Sequence, residues 1–270
     1  MHISALYHYP VKSLQGHSCD ALPLDRYGAV GDRRWMLVDN DNQFVTQRSL
    51  RTMVRLKATN IAAGVRIESD NGARIEISYP EDAAILRDVT VWHDTVTARD
   101  AGDRAAAWLS EQLQTPVRLV AMGPEFRRSL SAPREQIQVG FADGAPLLLI
   151  GQASLDDLNG RLETPVSMLR FRPNLVIDGA APFAEDNWQL IRIHTAAGPV
   201  ELECTHTCAR CAIPGLDPLT GAVTKEPLRT LARYRRGDDG LVYFGQNLAP
   251  RLSDPRGITI DLGDRVELVK

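Results

Sequence analysis

The sequence lacks the features that mark membrane and secreted proteins. Its 270 residues contain no apolar run near the ~20 residues of a membrane helix, and no basic segment precedes an apolar core at the N-terminus. Cysteine is scarce: there are four, and three of them crowd into residues 204–211, which does not suit a disulfide framework. We therefore expect a soluble, cytoplasmic protein that has no membrane partner.

A strong basic excess is also missing. The net charge is −3, although residues 1–57 hold eight Lys or Arg against five Asp. Nucleic-acid-binding domains are usually basic over a wide face, so we expect no nucleic-acid partner. A locally basic segment in an acidic chain suits a small anionic ligand instead. Arg26, Arg51 and Lys57 are most simply explained as solvated surface charges.

Short strands dominate the first part of the chain. Segments rich in β-branched or aromatic residues, several of them alternating with polar ones, occur at 35–38, 65–68, 74–78, 89–92 and 95–97. They predict a barrel-like β region up to about residue 98. An apolar stripe over 103–114 then predicts a helix with Asp103 as its N-cap. Thr115-Pro116 ends this helix.

The second half mixes strands with short helices. Residues 145–150 are continuously apolar and predict a buried strand, while the Ser-x-x-Asp pattern at 154–157 predicts a helix that Ser154 caps. Other predicted elements are strands at 174–177, 190–193 and 200–204, a basic helix at 227–235, and a final hairpin at 261–268. The predicted class is α+β, dominated by a closed or partly closed sheet.

The densest chemical signal is CTHTCARC at residues 204–211. Its cysteine spacing is that of radical-SAM iron–sulfur enzymes, but the 59 residues after Cys211 do not alternate strand and helix. A zinc site from Cys204, His206, Cys208 and Cys211 has suitable ligand types, although strand alternation would turn Cys204 into the core. In a third interpretation, Cys211 is exposed and ligates a cofactor-bound metal alone. Spacing leaves this choice open.

Seven short motifs follow one another in the order typical of one family. They are YPVKSLQG (9–16), DRRW (32–35), ASLDDLN (153–159), FRPNLVI (171–177), AEDNW (184–188), CARC with DPLTG (208–221), and FGQN (244–247). Through them the chain resembles MOSC-domain proteins with an N-terminal MOSC barrel, relatives of the mitochondrial amidoxime-reducing component. The resemblance implies an N-terminal β-barrel domain over 1–115 and a MOSC β-barrel domain with peripheral helices over 116–270.

The resemblance also implies a molybdenum cofactor (molybdopterin), with Cys211 as the metal ligand. A soft thiolate suits a sulfur-rich redox centre, and Arg and Lys suit the anionic phosphate of such a cofactor. Asp217 is a candidate catalytic proton shuttle, although an Asp-Pro turn also explains it. The positions that match cofactor-binding residues of the family are Lys12, Ser13, Arg33, Ser154, Arg172, Asn174, Gln246 and Asn247.

The reaction that the resemblance implies is reduction of N-hydroxylated or related N-oxygenated small molecules. Where many relatives carry two threonines after the ligating cysteine, this chain has Pro214 and Gly215, which leaves the substrate range open. No dinucleotide-binding motif or ferredoxin cysteine set is present, so we expect a separate electron-donor protein. Two alternatives stay open: a sulfurtransferase that carries a persulfide on Cys211, and a non-catalytic cofactor carrier.

Overall fold

The computed structural model describes residues 1–131, 133–251 and 257–270, and strands form most of its regular structure. The strands are β1 (His2–His8), β2 (His17–Cys19), β3 (Ala21–Asp25), β4 (Gly28–Ala29), β5 (Trp35–Val38), β6 (Leu56–Ile61), β7 (Gly64–Ser69), β8 (Arg74–Ser78), β9 (Leu86–Val91), β10 (Asp94–Asp100), β11 (Arg118–Ala121), β12 (Leu147–Gly151), β13 (Leu175–Asp178), β14 (Leu190–Thr195), β15 (Gly198–Ala209), β16 (Tyr243–Pro250), β17 (Thr259–Asp261) and β18 (Arg265–Leu268). The helices are α1 (Asp103–Leu113), α2 (Gln152–Gly160) and α3 (Leu228–Leu231). Short 3₁₀ turns lie at Arg51–Arg55, Met168–Arg170, Ala184–Asn187 and Ile213–Gly215.

Seven strands close into a barrel. Their order is β13-β12-β16-β15-β14-β18-β1, β1 then pairs with β13, and β2 extends the sheet beyond β1. Ile3 lies opposite Ile177, and Leu6 lies opposite Leu175. All four side chains are buried, so the apolar faces of β1 and β13 both line the barrel core.

Strand β15 shows how alternation fills that core. Val200, Leu202 and Cys204 point inward, with exposed fractions of 0, 0 and 8 %. Burial raises the pKa of the Cys204 thiol to about 12. The prediction that Cys204 is a small core residue is therefore confirmed.

The first part of the chain builds smaller sheets around a second core. Strands β5-β11-β10-β9 form one sheet and β6-β7-β8 another. Trp35 and Leu37 of β5 and Leu109 of α1 are wholly buried in this core. The predicted α+β architecture of β-barrel domains with peripheral helices is confirmed.

The two predicted sequence regions share sheets. Strand β1, near the N-terminus, pairs with β13 and β18, and β11, just beyond Pro116, pairs with β5. The boundary at residue 115 stays a prediction. The interleaving brings residues from distant parts of the chain to the same place.

Two predicted helix caps are wrong. The N-cap of α1 is Gly102, and Asp103 is the first helical residue. Helix α2 begins two residues before Ser154, so this serine lies inside the helix. Its hydroxyl donates to Glu185 Oε1 at 2.7 Å and accepts from the Phe183 backbone N–H at 2.8 Å. These tertiary partners, rather than the helix end, satisfy the side chain.

The predicted C-terminal hairpin is also wrong. Residues 261–264 do turn the chain, but β17 pairs with β3, whereas β18 pairs with β14 and β1. A tight turn reverses the chain without requiring its flanking strands to pair. The predicted basic helix at 227–235 is α-helical only over α3.

Among the described residues, no helix combines the length and apolarity needed to cross a bilayer.

Candidate functional site

An open cavity of about 630 Å³ lies where the barrel meets the smaller sheets. Its wall comes from the segments between β1 and β5, the turn between β9 and β10, and the irregular stretch between β11 and β12. The segment before β13 and the ends of β15 and β16 complete it. This central cavity therefore draws on both parts of the chain.

The central cavity is strongly cationic. Two aspartates, Asp94 and Asp143, face a larger set of cations: Lys12, Arg33, Arg48, Arg128, Arg134, Arg172 and Arg210. In a protein of net charge −3, this concentration is local. A concave wall of one sign focuses the electrostatic field and attracts an anionic ligand.

Arg33 and Arg172 form the centre of the cationic wall. Their guanidinium carbons lie 4.5 and 4.3 Å from the centroid of the buried Tyr9 ring. Arg33 donates to Asn174 Oδ1 at 2.9 Å, and Arg172 donates through Nη1 to the Leu14 carbonyl at 2.8 Å. Arg172 Nη2 is buried and has no hydrogen-bond partner among the described residues. A buried guanidinium donor without a partner is suited to bind an anion.

Burial disfavours the charged form of Arg172. Loss of solvation, reinforced by the nearby Arg33 cation, lowers the pKa of Arg172 to about 10. The charged form is therefore less stable in this site than in water. An anion bound at Nη2 would restore that stability.

Three residues of the central cavity adopt left-handed backbone conformations. The φ angles of Ser13, Arg33 and Arg172 are 65°, 46° and 58°. Such conformations are uncommon for residues other than glycine and tend to persist at functional sites, where surrounding structure imposes them. Each of the three lies in a different one of the motifs that the sequence linked to cofactor binding: YPVKSLQG, DRRW and FRPNLVI.

Lys12 is held by the wall itself. It is 4 % exposed, donates to the Phe141 carbonyl at 2.7 Å, and pairs with Asp143. Burial lowers the pKa of Lys12, while Asp143 opposes that shift. The Asp143 carboxylate also accepts from Trp92 Nε1 at 3.0 Å, so it ties the floor of the cavity to the β9–β10 turn.

Two of the four cysteines line the central cavity. Cys211 is exposed, and Cys208 is half-buried with its Sγ 3.0 Å from Arg210 Nη1. Cys204 points into the barrel core instead. Within the described residues, no three His, Cys, Asp or Glu side chains are arranged to hold a metal ion. This arrangement favours a single exposed thiol over the zinc interpretation.

Seven of the predicted site residues meet in the central cavity: Lys12, Ser13, Arg33, Arg172, Asn174, Asn247 and Cys211. Ser154, Gln246 and Asp217 are not among the residues that line it. Ser154 is wholly buried against Glu185, and Gln246 is the neighbour of Asn247 on β16. Since successive residues of a strand point to opposite faces, only one of that pair can face the cavity.

Asp217 stabilises a turn. Its Oδ1 accepts from the backbone N–H groups of Leu219 and Thr220 at 3.0 and 2.9 Å, and its Oδ2 accepts from Arg170 at 3.0 Å. Burial acts in the opposite direction, but these hydrogen bonds keep the pKa of Asp217 below its usual range. The side chain is therefore engaged as an ionised turn residue.

Sequence reasoning did not assign Arg48, Trp92, Arg128 or Asp143 to the site. Trp92 stands in the two-residue turn between β9 and β10 at φ 59°, a position where glycine is common. Arg48 stacks on its ring at 4.4 Å. No local pattern identifies these residues, because tertiary packing alone brings them to the cavity.

Family models match both parts of the chain. The MOSC N-terminal β-barrel domain matches residues 1–116, and the MOSC domain matches residues 136–267. The chain belongs to the MOSC family. The resemblance predicted from seven motifs is confirmed.

Curated relatives of this MOSC protein include two reductase components. It is 35 % identical to mitochondrial amidoxime-reducing component 1 of Mus musculus, covering 99 % of this chain and 82 % of the relative. It is 33 % identical to the Homo sapiens protein of the same name, covering 99 % of this chain and 82 % of that protein. It is also 33 % identical to molybdenum cofactor sulfurase of Oryza sativa subsp. japonica, over 91 % of this chain but 32 % of that protein. These relatives support a function related to the molybdenum cofactor for the chain as a whole.

Proposed function

We propose that this MOSC protein is a molybdenum-cofactor-dependent oxidoreductase that reduces N-hydroxylated or related N-oxygenated small molecules. The observation that supports it most is the pairing of an exposed thiol, Cys211, with an unpartnered buried guanidinium donor, Arg172, in one cationic cavity. A cofactor with a soft metal at one end and a phosphate at the other requires both groups. The names of the amidoxime-reducing relatives support the reaction class.

The residues that line the cavity fit such a cofactor. Arg172 and Arg33 would hold the anionic phosphate, with Asn174 orienting Arg33 through the 2.9 Å hydrogen bond. Cys211 would ligate molybdenum, because its thiol is exposed at the cavity wall. Lys12 would contribute charge while remaining hydrogen-bonded to Phe141 and Asp143. When bound, the cofactor supplies a metal centre that exchanges two electrons with a substrate.

Three residues that the sequence associated with the site have other roles in this proposal. Ser154 and Gln246 support the fold around the cavity rather than touching the cofactor. Asp217 orders the turn after Cys211, because four hydrogen bonds already occupy its carboxylate. The proton shuttle assigned to Asp217 is therefore not part of the proposed mechanism.

The proposed reaction needs an external source of electrons. Cleavage of an N–O bond to give an amine or amidine and water consumes two electrons and two protons. The central cavity is open to solvent, so a small carrier protein could dock at its mouth. Electron-transfer contacts are typically small and weak, so we expect transient docking of a separate donor protein.

The proposed function is tested with protein made in a host that synthesises the cofactor. We expect roughly one molybdenum atom per chain, because the proposed site has one thiolate ligand, Cys211. Reduced viologen should drive reduction of benzamidoxime, and NADH alone should not. Stoichiometric zinc without molybdenum, or no turnover with any donor, would count against the proposal.

Sulfur transfer is the second candidate, and one observation favours it. Cys208 lies in the same cavity as Cys211, with a cationic donor 3.0 Å from its sulfur. An external persulfide donor could transfer its outer sulfur to Cys211. Attack of the Cys208 thiolate on that outer sulfur would then move it to Cys208 and release the Cys211 thiolate. The sulfurase relative adds to this reading. Mass spectrometry after alkylation should detect an added sulfur on Cys211 if this candidate is right, and an unmodified thiol if it is not.

A further inference from the structure

A histidine of the cavity wall has a fixed orientation that the proposed cofactor binding does not explain. His206 lies near the end of β15 and lines the central cavity. Its Nδ1 is 3.1 Å from the Thr205 hydroxyl, and that hydroxyl donates to the Asn247 carbonyl at 3.1 Å. When the hydroxyl donates to that carbonyl it can only accept from the imidazole, so this arrangement favours a proton on Nδ1.

This chain of hydrogen bonds favours one tautomer of His206. A neutral imidazole that carries its proton on Nδ1 leaves a lone pair on Nε2. Nε2 lies against Gly144 of the cavity wall, where a Cβ on that glycine would come within 3.4 Å of it. That distance is an ordinary van der Waals contact, which places Nε2 next to Gly144 at the cavity wall.

His206 is exposed at the cavity wall, and its surroundings favour the neutral imidazole. Partial loss of solvation, and then the Arg134 cation, lower the pKa of His206 below its usual value. Arg134 itself is 3.6 Å from Glu203. The other charged or titratable groups that the adjoining cavity wall contributes are Arg128, Asp143, Cys208, Arg210 and Cys211. An imidazole whose pKa is lowered gives up a proton more readily once it has taken one up, which suits a group that passes protons onward.

We propose that His206 is the residue that transfers a proton to the departing oxygen of the substrate. This inference rests on the proposed function and adds a catalytic group to it. In the balanced reaction, R–C(=NOH)NH₂ takes up two electrons from the external one-electron donor and two protons from solvent. The N–O bond breaks, and the products are R–C(=NH)NH₂ and water. His206 Nε2 takes one of those protons from solvent and delivers it to the leaving oxygen, while Thr205 holds the ring in position.

The activity test compares His206→Gln with a matched histidine variant. His2 is exposed at the start of β1 and does not line the cavity, so His2→Gln changes the same residue type outside the site. We expect His206→Gln to lower kcat by about 100-fold with little change in KM, within the range of general acid catalysis. Wild-type kcat should fall as the pH rises through the lowered pKa of His206, which lies below 6.5, and that dependence should vanish in the variant. Added imidazole should restore part of the rate.

A second measurement does not depend on turnover. In full-length cofactor-loaded protein labelled with ¹⁵N-histidine, the two ring-nitrogen shifts of His206 should report a proton on Nδ1. Thr205→Val, which removes the hydroxyl and keeps the side-chain shape, should move the population toward the Nε2-protonated form. Benzamidoxime should perturb the Nε2 resonance.

The outcomes separate the two proposals. If wild-type protein reduces benzamidoxime and His206→Gln matches it, the proton-transfer role is overturned while the proposed function stands. If His206 carries its proton on Nε2 in the wild type, the role is overturned whatever the activity. If wild-type protein reduces nothing with any donor, the proposed function itself fails, and the role of His206 in it fails as well.

Discussion

Replacing Arg172 by Met separates a ligand-binding role from a structural one. Burial lowers the pKa of Arg172 to about 10. Since an unperturbed arginine titrates near 12.5 or above, the charged form loses on the order of 3 kcal/mol in this site. Met removes that cost but also removes the hydrogen bond to Leu14 and the contact with Tyr9.

The two effects nearly cancel in the cofactor-free protein. A hydrogen bond from a charged group contributes roughly 1.5–3 kcal/mol, and a cation–π contact contributes about 1 kcal/mol. We therefore expect the free energy of unfolding of Arg172→Met to lie within about 1 kcal/mol of wild type, as measured by urea denaturation without cofactor. Cofactor binding should behave differently, because nothing replaces the donor at Nη2. Loss of about 1.5–3 kcal/mol there weakens affinity roughly 10- to 150-fold.

The assay measures both quantities on the same preparations. Cofactor affinity is followed by pterin fluorescence during titration, and stability by urea denaturation of the cofactor-free protein. Arg51→Met is the control, because Arg51 is exposed in a 3₁₀ turn and does not line the cavity. Unchanged affinity in Arg172→Met, or an equal loss in Arg51→Met, would refute the reasoning. A loss of several kcal/mol in cofactor-free stability would assign Arg172 to the fold.

Further predictions concern the cysteines and the ion pair between Lys12 and Asp143. Cys204→Ala should lower the free energy of unfolding by about 1 kcal/mol and keep activity, whereas Cys211→Ser should abolish turnover with little change in stability. Loss of activity in a stably folded Cys204→Ala protein would favour a multi-thiol metal site. Asp143→Asn leaves the buried Lys12 cation without its charged partner. Because the Asp143 side chain is itself 50 % exposed and solvent screens the pair, we expect a loss of about 1–3 kcal/mol in urea denaturation. Burial acts to raise the pKa of Asp143, but the Lys12 cation and the hydrogen bonds that the carboxylate accepts outweigh it and lower that pKa. The stabilisation by the ion pair is therefore present above about pH 4 and is lost as the pH falls further. A wild-type acid-unfolding profile identical to that of the variant would contradict this assignment.

Much of the site could be predicted from the sequence, because its residues occur in ordered motifs. Arg33 and Arg172 lie far apart in the chain, yet Arg33 Nη2 donates to the Arg172 carbonyl at 3.1 Å. The motif resemblance linked them through a shared ligand, which no local rule could do. Likewise, alternation along β15 was enough to separate Cys204 from the cavity thiols.

The failures arise where long-range contacts override local patterns. Ser154 matches a capping box, but its hydroxyl bonds with Glu185, which is 31 residues away. The FGQN motif presents Gln246 and Asn247 together, and only the strand register determines which of them faces the cavity. Trp92 reaches the rim through a left-handed turn that its sequence does not signal.

The central claim is that Cys211 ligates molybdenum in this cavity, and X-ray absorption at the molybdenum edge tests it most directly. Wild-type protein loaded with cofactor is compared with Cys211→Ser and with Cys208→Ser, the other cysteine of the cavity wall. We predict that Cys211→Ser loses one sulfur from the metal's coordination shell and that Cys208→Ser keeps the wild-type shell. An unchanged sulfur shell in Cys211→Ser, or loss of the sulfur in Cys208→Ser instead, would contradict the claim.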